Sequence, residues 1–296
     1  TIQDSSGNNA ALTLPVLDSS NTLAGNNNLV INTTSPTISV AINDGGDGFI
    51  NAAEDDSVTI SGSTSDVQDG QTVSINISSD AGGTPVNSTA TVNSNSYSVT
   101  GLDLSSLNDG TLSITADVSD VAGNPATQAS DTSNKDTSAP SISVAINDGG
   151  DGFLNAAEES SVTISGSTSD VPDGQTVSIN ISSSAGGTPI NASATTTSNT
   201  YSLSNLDLSS LADGTLSITA DVSDLAGNPA TQATDTTSKD TASPTISVAI
   251  NDGGDGRLNA ADASSVSITG STSGVADGQT VVSNARCGAS DGDGGS

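Results

Sequence analysis

The feature that most constrains this chain is self-similarity at a long, fixed period. The segment SVAINDGGDGF begins at Ser39 and again at Ser143, and SVAINDGGDGR begins at Ser247. Pro36, Pro140 and Pro244 stand 104 residues apart. Two full copies therefore run over 37–140 and 141–244, with no insertion or deletion between them, and a third keeps to the pattern over 245–281. That period is too long for one rung of a solenoid. It is the size of a domain that buries its own core, so each full copy is expected to fold as one domain.

Within a copy, apolar residues alternate with Ser and Thr at period two. In 111–118, Leu112, Ile114, Ala116 and Val118 fall on one side, and Thr111, Ser113, Thr115 and Asp117 on the other. This is the pattern of a sheet with one buried face. Turn-forming residues punctuate the runs at 43–48, 66–70, 82–85, 108–110 and 123–125. Strands are predicted at 37–42, 57–63, 71–78, 86–92, 96–100, 111–119 and 126–134. Seven short strands per copy predict an all-β chain of tandem immunoglobulin-like β-sandwich domains arranged end to end. Regular alternation also argues against disorder, which an acidic chain poor in aromatics could otherwise adopt.

The flanking stretches depart from the repeat. Asp4-Ser5-Ser6-Gly7-Asn8 matches Asp120-Val121-Ala122-Gly123-Asn124 and Asp224-Leu225-Ala226-Gly227-Asn228, so 1–36 reads as the C-terminal part of a preceding immunoglobulin-like domain plus its linker. Residues 245–281 read as the truncated start of a third repeat, and 282–296 as an off-pattern flexible tail.

Composition narrows the function. The chain has no His, one Cys (Cys287), 34 Asp and Glu, and 4 Lys and Arg, for a formal net charge of −30. Proton transfer near neutral pH and nucleophilic catalysis lack their usual residues, so the chain is read as not an enzyme. An acid-pair glycosidase would have only Phe49, Phe153, Tyr97 and Tyr201 to stack a sugar, and a site unique to one copy is absent. Nucleic acid is excluded as a partner, because phosphate binding needs clustered Lys and Arg. No apolar run is long enough to span a membrane as a helix. The first copy alone carries Asp or Glu at 44, 47, 54, 55, 56, 66, 69, 80, 103, 109, 117, 120, 131 and 136 against Lys135. Divalent cations, calcium first, are the partner such a charge pattern invites. Tyr97 and Tyr201 alternate with Val99 and Leu203, which predicts core packing, and Phe49 and Phe153 are expected to cap the sandwich edge.

One loop per copy has the spacing of metal ligands. Set against a twelve-residue calcium loop, Asn43 takes position 1, Asp47 position 5, Gly48 the turn glycine, Phe49 a carbonyl ligand, Asn51 position 9 and Glu54 the final carboxylate, with Asp44 beside them. The second copy repeats Asn147, Asp148, Asp151, Phe153, Asn155 and Glu158; the third has Asn251, Asp252, Asp255, Asn259 and Asp262. The competing expectation is a glycine-rich Asx turn with no metal. Sandwich topology adds an interdomain cluster. The loop after the first strand lies at one end of its domain, and the second and sixth loops of the next copy lie at the facing end. That gathers Asn43–Glu54, Asp109 and Asp136 with Asp170, Asp173, Asp224 and Asn228. So many carboxylates repel one another unless a cation bridges them.

Taken together, INDGGDGFINAAE, the DVAGN and DLAGN motifs and the linkers KDTSAP and KDTASP resemble the bacterial immunoglobulin-like tandem repeats of giant biofilm and RTX-type surface adhesins. The resemblance covers nearly the whole chain apart from its tail. It implies an exported, extracellular or cell-surface protein whose repeats space out a ligand-binding region held elsewhere, where a host, surface or glycan ligand is bound. It implies calcium at loops and junctions, which transfers to Asp47, Glu54, Asp120, Asn124 and Asp136, and to Asp151, Glu158, Asp224, Asn228 and Asp240. The sequence departs from the pattern at Gly274, where Asp66 and Asp170 stand in the other copies, and at Asn32, where a linker Asp is expected. The function read from the sequence is a calcium-stiffened extender segment supporting adhesion and biofilm formation. The alternative is a carbohydrate- or protein-binding module, against which the copies' near identity and lack of exposed aromatics weigh.

Overall fold

The computed structural model describes residues 3, 5–9, 31–254, 256–260 and 266–282. Among them there is no helix. The expectations for most of 1–36 and of the tail, including Asp4, lie outside the described residues, as do Asp255 and Asp262. The chain forms two compact units. Of the described residues, the first holds those within 1–141 together with 170–175 and 223–231; the second holds those within 142–169, 176–222 and 232–282.

The first copy contributes β1 (Thr37–Ile38), β2 (Ala41–Asn43), β3 (Phe49–Ile50), β4 (Val58–Ser65), β5 (Thr72–Ser79), β6 (Val86–Thr91), β7 (Ser96–Leu102), β8 (Gly110–Asp117) and β9 (Ala129–Lys135). One sheet centres on β4, paired with β1, β2 and β7; the other runs β3-β9-β8-β5-β6. Every pairing is antiparallel except that of β3 with β9, which is parallel. The core lies between the sheets. Ile60 from one side and Val73, Ile75, Ile77, Leu112 and Ile114 from the other are buried, as the alternation requires. The second copy repeats the arrangement with β10 (Ser141–Ile142), β11 (Ala145–Asn147), β12 (Phe153–Leu154), β13 (Val162–Ser169), β14 (Thr176–Ser183), β15 (Ile190–Thr195), β16 (Thr200–Leu206), β17 (Gly214–Asp221) and β18 (Ala233–Lys239). From the third, β19 (Thr245–Asn251) and β20 (Ser267–Ser273) form an antiparallel pair.

Nine strands per copy replace the seven predicted, for two local reasons. The first predicted strand breaks after Ile38. There the Tyr97 hydroxyl donates to the Ser39 carbonyl at 2.6 Å, over Gly62, whose missing side chain leaves room for the approach. The same contact runs from Tyr201 to Ser143 at 2.6 Å. The tyrosines are thus core residues with a polar handle. The second addition, β3, is a two-residue strand in the glycine-rich loop, where it pairs with β9 instead of β4. The caps expected of the phenylalanines are uneven: Phe49 is half-buried and Phe153 is exposed.

Candidate metal centre

The loop from Asn43 to Glu54 is built by side chains that bond to their own backbone. Asn43, Asp44, Asp47 and Asn51 each accept, through Oδ1, the amide two residues on, at 3.3, 3.0, 2.9 and 2.9 Å. These are Asx turns, and they shape the loop around its left-handed glycines. Asp44 Oδ2 further accepts from the Ser133 hydroxyl at 3.2 Å. Glu54 Oε2 accepts from Asn51 N at 3.1 Å, while its Oε1 folds back over the turn, where a Cβ at Gly45 would stand 3.3 Å away. The carboxylate predicted for the last ligand position therefore does lie across the loop.

The second copy keeps these bonds at Asn147, Asp148, Asp151, Asn155 and Glu158. The Thr237 hydroxyl bonded to Asp148 at 2.9 Å holds that carboxyl below its usual range. In the third, Asn251 and Asp252 make the same Asx turns, and Asn259 lies in the described stretch after them. Among the described residues, no group of three or more His, Cys, Asp or Glu side chains comes together. A cation would depend on one or two carboxylates together with carbonyl oxygens and water.

The first compact unit contains a second arrangement. Asn228, only 2% exposed, accepts Ala52 N at 2.9 Å through Oδ1 and donates Nδ2 to the Asp136 carbonyl at 2.8 Å. Asn51 Nδ2 donates to the Ala226 carbonyl at 3.0 Å, and Ala226 is fully buried. Asp224, 6% exposed, accepts Asn228 N at 2.8 Å and Asn228 Nδ2 at 3.0 Å. The structure thus brings Asn51, Asp136, Asp224 and Asn228 together.

The related cluster 104 residues earlier has Asn32 where this one has Asp136, and shows no counterpart of the Asn51 and Ala52 contacts among the described residues. Asp120 accepts Asn124 N and Nδ2 at 2.8 and 2.9 Å, and Asn124 Nδ2 donates to the Asn32 carbonyl at 3.0 Å. In addition, Asn32 Nδ2 donates to Asp120 Oδ2 at 2.8 Å. The Asn124 side chain above all, with the backbone amides of Asn124, Ala122 and Gly123, outweighs burial and holds the Asp120 carboxyl below its usual value. Asn32 Oδ1 accepts Thr34 N at 3.0 Å, and Asp136 Oδ1 accepts Ser138 N at 3.1 Å, so both side chains are set by the same Asx turn. Asp136 occupies the linker position that Asn32 holds in the earlier cluster. A carboxylate cannot donate there. Asp240 makes the same turn with Ala242 N at 3.0 Å.

Other predicted ligands have different occupations. Asp109 accepts from Thr137 N, Thr137 Oγ1, Ser138 Oγ and Lys135 Nζ, so its oxygens are turned onto the linker and a buried lysine. Asp66 and Asp170 sit at φ of 60° and 61°, and Gly274 in their place has φ of 74°. Position 66 asks for a left-handed backbone, which Asp tolerates and Gly adopts freely, so the exchange at 274 follows from backbone conformation. Asp173 lies with Asp170 in the 170–175 segment of the first unit.

Sequence reasoning missed a third group. Lys135 and Lys239, 5% and 4% exposed, pair with Asp55 at 3.2 Å and with Glu159 at 2.8 Å. Asp131 and Asp235 accept the Ile42 and Ile146 amides, each at 2.9 Å. The parity of β9 was the available signal: Lys135 shares the inward phase with buried Ser133.

No protein-family model and no curated protein matches the chain. Solved structures do. The chain is similar to a tetra-tandem repeat from the extending region of a large adhesion protein, at 30% identity over 82% of this chain and 57% of that one, with a TM-score of 0.36. It is similar to the Ca2+-stabilized adhesin with which an Antarctic bacterium binds ice, at 28% identity over 74% and 52%, TM-score 0.47. A 1.5-MDa bacterial ice-binding adhesin is 26% identical over 74% and 70%, TM-score 0.44. The chain spans little more than half of the first two structures. The resemblance to tandem repeats of giant adhesins and the all-β sandwich fold both stand.

Proposed function

We propose that this chain is a calcium-stiffened extender segment of a secreted or cell-surface bacterial adhesin. On this reading its job is to hold a ligand-binding region at a distance, and its work is mechanical. What supports this is a tandem array of near-identical sandwiches whose polar side chains are committed to turns and joints. The ice adhesin of the Antarctic bacterium is Ca2+-stabilized; the same property is assigned here on the chain's own residues.

The observation that carries it is the exchange of Asn32 for Asp136. Where the linker residue is Asn, its amide donates to Asp120 Oδ2 at 2.8 Å. Where it is Asp, that donor is gone, and on this reading the Asp136 carboxylate comes near that of Asp224, which is 6% exposed. Like charges about 4 Å apart repel by about 4 kcal/mol at an effective dielectric near 20. A divalent cation removes that repulsion and ties 136 to 224. Calcium fits the donor set, which is oxygen throughout, and extracellular sites bind it at about 10⁻⁴–10⁻³ M. The loop carboxylates Glu54 and Asp47 offer a second, more exposed position of the same chemistry.

The test is a thermal melt in calcium against sodium at matched ionic strength. Free calcium at about a hundred times the dissociation constant stabilises the folded chain by about 2.7 kcal/mol per site, so the transition should move up. Identical melting in the two salts would defeat the calcium reading.

A further inference from the structure

In each full copy, the segment that enters the sandwich is zipped to the strand that leaves it. In the first, Ile42 N bonds Asp131 Oδ2 at 2.9 Å, and the Ser133 hydroxyl bonds Asp44 Oδ2 and the Gly48 carbonyl at 3.2 and 3.1 Å. Asn134 N bonds Gly48 O at 3.1 Å, Asp136 N bonds Ile50 O at 3.0 Å, and Lys135 pairs with Asp55 at 3.2 Å. In the second, Ile146–Asp235, Thr237–Asp148, Ser238–Gly152, Asp240–Leu154 and Lys239–Glu159 repeat every link. Lysine is seldom buried, yet these two are, and no other cation occurs in the two full copies.

The direction of the strands gives this seam its meaning. β3 and β9 are parallel. A pull on the linkers draws the entering segment toward its N-terminal end and the leaving strand toward its C-terminal end. The seam is then loaded in shear, so its bonds must yield together and not one after another. Lys135 sits at the exit, where it also donates to the Leu107 carbonyl at 3.1 Å and to Asp109, which in turn accepts from linker residues Thr137 and Ser138. We propose that this seam is the mechanical clamp of each copy, with Lys135 and Lys239 as its ionic bolts. The inference deepens the extender reading and rests on it for why the chain is pulled, but the clamp needs no metal.

The experiment is single-molecule stretching of the full chain between its ends, in chelator and in calcium, alongside unfolding by denaturant. In Lys135→Met, one of the two repeat-unfolding events should drop in force. Its rate at fixed force should rise roughly tenfold or more, beyond any change in denaturant, since forced unfolding follows the unfolding barrier. Lys135→Arg should restore most of the force, and the gentler Ser133→Ala should lower it if Lys135→Met does not fold. Equal acceleration by force and by denaturant, or no drop in force, overturns the clamp. A drop seen only with calcium also overturns it while leaving the extender reading intact. A drop in chelator with no calcium effect anywhere upholds the clamp and defeats calcium stiffening.

Discussion

Asn228 Nδ2 lies 2.8 Å from the carbonyl oxygen of Asp136, and the same bond joins Asn124 to Asn32 at 3.0 Å, 104 residues earlier. Equivalent asparagines thus anchor two linkers whose first residue differs, Asp at 136 and Asn at 32. The asparagine fixes the backbone in both cases. What varies is the linker side chain: Asn32 donates to Asp120, and an aspartate at 136 has no such donor to offer Asp224.

The close approach of Tyr97 to Ser39 makes Gly62 a sensitive position. A methyl group there meets the Ser39 carbonyl and the tyrosine hydroxyl. Gly62→Ala should cost roughly 2–4 kcal/mol, from overpacking and the lost hydroxyl bond. Denaturant unfolding of the full chain should show one of two transitions moved to lower concentration. Coincident curves would mean the strand slides without penalty.

Stability should fall at both extremes of pH. Burial pushes Asp109 up, but bonds from Thr137 and Ser138 and the charge of Lys135 outweigh it, leaving the carboxyl below its usual 3.8. The bonds from Asn124 lower Asp120 likewise. With folded values below unfolded ones, the unfolded chain takes up protons first. The carboxylates' contribution is therefore present above about pH 4 and lost as the pH falls through their folded values. Burial pushes Tyr97 and Tyr201 up to about 12 from 10.0, so their contribution is present below pH 10 and disappears as pH rises toward 12. Urea midpoints across this range should be flat in the middle and drop at each end. A midpoint that holds in acid would contradict the assigned bonds.

Glu54→Gln tests the twelve-residue register. If Glu54 supplies a bidentate carboxylate, the variant should bind calcium about tenfold or more weakly at that loop, since ligand charge tunes these sites. Unchanged binding in calorimetry would return the loop to a plain Asx turn.

Much of the fold was legible because period two is a direct imprint of a half-buried sheet, as in Leu112, Ile114 and Ala116. β3 was not, because two residues carry no periodicity and their partner strand lies more than eighty residues on. The candidate ligands were legible as residue types. Their division of labour was not, because an aspartate that closes an Asx turn and one that binds a cation look alike in sequence. Asp66 shows the difficulty: only its backbone angle reveals why glycine can replace it.

The most direct test of the calcium joint is calorimetric titration of the chain and of Asp136→Asn, paired with melting in chelator. The amide introduced by that substitution should donate to Asp224 as Asn32 does to Asp120. The variant should therefore lose one calcium site and melt higher than the parent without calcium. Equal stoichiometry and equal melting for the two proteins would contradict the assignment of calcium to Asp136 and Asp224.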